Sequence, residues 1–148
     1  MQRLAALGAA LAVAAACSGA ALATTETPSP AAVVRAWSKA LNANDNVAAG
    51  RLFAKNARIV QGTLDGRIPS QKVAAEFNNS LPCAGRIIAL EVKGNTVLAT
   101  FVLGHRPKHT CDGPGQKAAA VFVVKNGKIT LWEQVAVPPA KKTGGPTA

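Results

Sequence analysis

The dipeptide Asn126-Gly127 constrains this chain more than any other feature. Both residue types tolerate the positive φ that a two-residue hairpin turn demands, and apolar runs flank the pair. The reading is a hairpin of strands over 117–125 and 128–135. Counting outward sets Val124 opposite Ile129, Phe122 opposite Leu131 and Ala120 opposite Glu133, with Val121, Val123, Thr130 and Trp132 on the other face. Gly94-Asn95 marks a second turn, between strands over 86–92 and 96–103. There Val92 meets Val97, Leu90 meets Ala99 and Ile88 meets Phe101. The same count brings Cys83 near Arg106 at the open end of this hairpin, where Cys111 can swing back to meet it.

The first half of the chain carries helical periodicity instead. Ser29-Pro30 is a capping serine followed by a proline at the first helical position, and Val34, Trp37 and Leu41 then recur at helical spacing. A polar break at 42–46 ends that helix, and Asp45 caps a second over 46–53. A short strand over 58–61 and a loop over 62–69 follow. Ser70 caps a third helix carrying Val73, Ala74, Phe77 and Leu81, which Pro82 terminates. Helix, helix, strand, helix and two hairpins define an α+β domain over 30–137.

Both ends read differently. Arg3, the apolar run 4–16 and the Ala21-Leu22-Ala23 site have the layout of a secretory signal peptide over 1–23, and the run is too short to span a bilayer. A secreted, periplasmic or cell-envelope protein is expected, with lipid anchoring at Cys17 as the alternative. Residues 24–29 form a linker, and the tail 138–148 lacks apolar periodicity and reads as disordered.

Removing 1–23 takes away Cys17, leaving Cys83 and Cys111. An even count in an exported chain favours a disulfide over a metal site or a catalytic thiol. It also removes Arg3, leaving 16 basic residues against 7 acidic ones and a net charge of +9. The basic residues are spread along the chain, and with no tyrosine there is little to stack bases on, so no specific nucleic-acid partner is expected. Weak attraction to anionic envelope surfaces remains compatible with that charge. The segment HRPKHTC offers two histidines and a cysteine, but Pro107 makes it a loop. With Cys111 oxidised, too few ligands remain for zinc.

The segment VVRAWSKALNANDNVAAGRLFAKNARIV, with its series Trp37, Asp45, Leu52-Phe53-Ala54, resembles the ketosteroid-isomerase-like and SnoaL-like branches of the nuclear-transport-factor-2-like superfamily. The third helix and the paired hairpins extend the resemblance over roughly 30–135. It implies a curved mixed or antiparallel sheet wrapped over three helices, with an apolar pocket between them.

Carried over residue by residue, the resemblance places the isomerase tyrosine at Trp37, the carboxylate base at Gln61 and the protonated aspartic acid at Ala120. None can perform that chemistry: glutamine does not titrate, indole presents its N–H elsewhere than a phenol, and alanine donates nothing. The Asp–Arg–Asp arrangement of limonene-epoxide-hydrolase-like relatives is also missing, since Asp45 reads as a cap, Asp65 as a loop residue and Asp112 as a neighbour of a cysteine.

The expectation is therefore a non-catalytic domain without cofactor or metal, binding a small hydrophobic or amphipathic molecule. Trp37, Gln61, Phe77, Ala120, Phe122 and Glu133 are the candidate ligand-binding residues. Two alternatives stand beside it: an interaction module whose cavity its own side chains fill, and an isomerase or hydrolase using Glu133, a pocket carboxylate with a raised pKa. Val121, Val123 and Trp132 on the outer face mark a candidate homodimer surface.

Overall fold

A computed structural model describes residues 26–139. The signal-peptide reading, Cys17 and nearly all of the tail lie outside the described residues.

Ser29 caps α1 (Pro30–Asn42) by accepting from Ala32 N, and Asp45 caps α2 (Asn46–Arg51) by accepting from Ala48 N. Ser70 caps α3 (Gln71–Ser80) through Val73 N. Each cap satisfies a first-turn N–H that has no partner within the helix. α2 is shorter than expected. Leu52 closes it and β1 (Phe53–Gln61) begins at once, turning Phe53 into the core.

The stretch read as a loop over 62–69 contains β2 (Leu64–Ile68), paired antiparallel with β1. Its sequence, LDGRI, has the glycine and aspartate of a turn, which hides it. Pairing with β1 overrides that composition, and the bidentate pair of Arg58 with Asp65 (2.9 and 2.6 Å) bridges the two strands.

β3 (Ala84–Lys93), β4 (Thr96–Gly104), β5 (Lys117–Lys125) and β6 (Lys128–Val135) complete a six-stranded sheet in the order β2-β1-β6-β5-β4-β3. The β1–β6 pair is parallel and the others are antiparallel. Helix residues Val33, Val34, Trp37 and Leu41 pack onto one face, against Val97, Ala99, Phe101, Phe122, Ile129 and Trp132. Burying a Phe or Ile of this kind contributes roughly 1.5–3 kcal/mol.

Both hairpins form at the expected turns, and Asn126 and Gly127 have φ of 51° and 70°. Each also contains one residue more than the turn count allows. In the second hairpin Val124 opposes Ile129 as expected, but Val123 opposes Leu131. Thr130 is the extra residue, and its Oγ1 donates to Val123 O at 3.1 Å. Beyond it Phe122 opposes Trp132, Val121 opposes Glu133 and Ala120 opposes Gln134, correcting the pairs read from sequence.

Side chains alternate along a strand, so one inserted residue exchanges the faces of everything that follows. Trp132 turns inward and is buried; Glu133 turns outward. The first hairpin behaves alike. Ile87, not Ile88, opposes Phe101, and Ile88 is left 40% exposed.

Cys83 and Cys111 are disulfide-bonded, as their placement suggests. The bond ties the start of β3 to the β4–β5 connection.

Candidate functional site

The concave face of the sheet encloses a cavity of about 230 Å³. Side-chain volume explains its position. Toward the β3–β4 and β5–β6 turns the concave side is filled by Phe122, Val97 and Ile129, whereas the opposite end carries Ala118, Ala119 and Ala120 on β5. The register aligns Ala99, Ala120 and Gln134 in one row. Gln61 extends that row, one step along the parallel β1–β6 register from the Val60–Glu133 pair.

Small residues in the floor leave the space, and Trp37, Leu41, Leu81, Phe101 and Trp132 wall it. Gly85 completes the wall because a Cβ there would lie 2.9 Å from Phe101 Cδ1. Its backbone is clamped to α1: Ser38 Oγ and Asn42 Nδ2 donate to Gly85 O, and Gly85 N donates to Asn42 Oδ1 at 2.8 Å.

Behind the aromatic wall runs a buried polar chain. Trp37 Nε1 donates to Asn78 Oδ1 at 2.8 Å, and Asn78 Nδ2 donates to Ala74 O at 2.7 Å. Asn78 O accepts from Arg106 Nη2 at 3.0 Å, and Arg106 Nη1 donates to Leu41 O at 3.3 Å.

Arg106 thus caps the C-terminal turns of both α1 and α3, where carbonyls lack intrahelical partners and the helix dipole is negative. Burial lowers its pKa from the ordinary value. Carbonyls rather than a carboxylate stabilise the charge. His109 Nε2 lies 3.1 Å from Nη2, and because guanidinium has no acceptor the imidazole accepts there. His105 Nδ1 accepts from Cys111 N. The two histidines therefore organise the disulfide loop. Among the described residues the group of potential metal ligands is Cys83, Cys111 and Asp112, and the disulfide occupies both sulfurs.

Of the residues singled out from the sequence, Trp37, Gln61 and Ala120 line the cavity. Phe77 and Phe122 stand behind its wall: Phe77 packs edge-on against Trp132 at 5.2 Å, and Phe122 against Trp37 at 5.1 Å. Glu133 does not face it. It lies on the outer side, opposite Val121 and close enough to Arg58 to help raise that residue's pKa.

The sequence reading missed Trp132, Gln134 and Asp112 in the lining. The first two were lost to the bulge at Thr130. Asp112 reaches the cavity because Cys111, beside it, is pinned to Cys83. Among the described lining residues Asp112 carries the only formal charge, and no described lysine or arginine joins it.

No protein-family model matches the sequence, and no curated protein matches it. Solved structures match its shape. An NTF2-like protein of unknown function from Cytophaga hutchinsonii superposes with a TM-score of 0.61 at 14% identity, over 75% of this chain and 92% of that one. A putative polyketide cyclase from Sinorhizobium meliloti gives 0.57 at 17% identity, over 70% and 93%. A protein with a ketosteroid isomerase-like fold from Catenulispora acidiphila, solved in complex with trimethylamine, gives 0.58 at 17%, over 70% and 84%. The fold is therefore nuclear-transport-factor-2-like, the α+β cone that the resemblance implied.

Proposed function

We propose that this protein binds a small hydrophobic or amphipathic molecule in the cavity and does not turn it over. The observation that carries the reading is the composition of the lining. Aromatic, aliphatic and alanine side chains enclose about 230 Å³, with two carboxamides and one carboxylate toward the rim. Small-molecule sites have this make-up, a mostly apolar concavity with few polar groups.

General acid–base catalysis needs a titratable group within reach of the reacting proton, commonly backed by a second. Asp112 stands alone in that respect among the described lining residues. The alternative that made Glu133 a base loses its support, because that carboxylate faces away. We further infer that the protein works outside the cytoplasm, on the strength of the leader-like first 23 residues and the disulfide.

Native mass spectrometry of protein purified from its own host tests the binding reading. The expected result is an added small-molecule mass that disappears in Ala120→Leu, which fills the cavity floor. Bare protein in repeated preparations, or an added mass indifferent to Ala120→Leu, refutes it.

A further inference from the structure

We propose that the ligand is a small organic cation, an alkyl- or cycloalkylammonium, with its apolar body against Trp37, Phe101 and Trp132 and its charged head at Asp112. This rests on the reading of the cavity as a ligand site and adds the chemistry of the ligand.

The sign of the charge in the lining favours a cation. A chain of 17 basic and 7 acidic residues places a carboxylate, and no described lysine or arginine, in the lining. Asp112 forms no ion pair with another described residue, in contrast to Asp65, which is held by Arg58. Its side-chain neighbours include both disulfide sulfurs, with Cys83 Sγ 3.4 Å from Oδ1. An oxidised sulfur has no proton to give, so the carboxylate keeps its full accepting capacity.

The loop that carries Asp112 is held in place. Asp112 directly follows Cys111, whose sulfur is bonded to Cys83 and whose N–H is held by His105. The loop returns through Gln116 N to Gly113 O, and Leu103 N donates to Gln116 O at 2.8 Å. The backbone that carries Asp112 is thereby held at the mouth before any ligand arrives, which reduces the ordering cost of binding.

The cavity wall also suits a cation. Trp37 lies 6.3 Å from Phe101 and 6.5 Å from Trp132, centroid to centroid, so three aromatic side chains cluster around the apolar space. Aromatic groups attract cations through their negative faces, most strongly for tryptophan. The carboxamides of Gln61 and Gln134 add carbonyl acceptors for ammonium N–H. An anion of equal size would meet Asp112 instead. The positive charge of the remaining surface is screened beyond about 8 Å at physiological salt, so the nearest group governs the head.

Three compounds with one apolar body separate the possibilities: cyclohexylammonium, cyclohexanol and cyclohexanecarboxylate. Both tryptophans of the chain line the cavity, so intrinsic fluorescence reports binding there directly. The inference requires that cyclohexylammonium bind more tightly than the other two. It also requires that Asp112→Asn weaken the ammonium by at least about three-fold, as loss of a partly exposed ion pair would, with cyclohexanol unchanged. Asp112 is exposed, so the variant should keep the wild-type melting profile, checked by circular dichroism. Equal binding of all three, preference for the carboxylate, or indifference to Asp112→Asn overturns the cation while leaving an apolar site intact. Failure of every compound to perturb the tryptophans overturns both readings.

Discussion

Replacing Asn78 by alanine probes the polar chain that holds the cavity wall. Asn78 is fully buried, and its Oδ1 is the partner of the Trp37 indole N–H. Truncation strands that donor, for which the penalty is about 1–3 kcal/mol. Removing the carboxamide also leaves a small void, adding a term of order 1 kcal/mol. Ala74 O keeps its helical partner and contributes little.

The expected loss is thus about 2–4 kcal/mol, or roughly 8–15 °C in Tm for a domain of this size. Circular dichroism in urea and on heating measures it. The mechanism is tested by the cycle with Trp37→Phe, which removes the donor itself. In that background Asn78→Ala should cost about 1–2 kcal/mol less. A coupling below about 0.5 kcal/mol, where independent sites add, would mean the loss comes from packing alone and the bond does not hold the wall.

Four further outcomes are expected. Gly85→Ala should destabilise by about 1–3 kcal/mol through overpacking against Phe101, read as a lower urea midpoint; an unchanged midpoint would show that the ring can move freely. Cys83→Ser should cost about 3.5 kcal/mol by the loop-closure model for a separation of 28 residues, and unreduced wild-type protein should show no alkylatable thiol at either cysteine. Arg58 lowers the Asp65 pKa, so their contribution is full above the carboxylate's usual value and is lost as pH falls through the lowered one. Asp65→Asn should then melt slightly below wild type at neutral pH and converge with it in acid; a gap constant with pH contradicts the pairing. Finally, the outer face keeps Leu98, Val121, Val123 and Leu131 half-exposed, and we expect it to pair with a second copy. Light scattering should give a dimer that Val121→Lys converts to monomer, and a monomeric wild type removes the idea.

What the sequence determined by itself is local. Ser29-Pro30, Asp45 and Ser70 start helices because the capping interaction is made within three residues. Asn126-Gly127 sets a hairpin because positive φ is a property of those residues alone. The two cysteines of the domain find each other because the turn count, though off by one, brings them to the same end of the sheet.

The tertiary structure decided what depends on partners distant in sequence. β2 exists because β1 lies beside it, not because LDGRI favours a strand. Arg106, in a loop of histidines, became a buried cap only once two helix ends converged on it. The cavity's identity turned on Thr130: its bulge exchanges Trp132 for Glu133 on the concave face. The period of a strand is two, so a single residue that no local rule announces separates an indole wall from a carboxylate on the concave face.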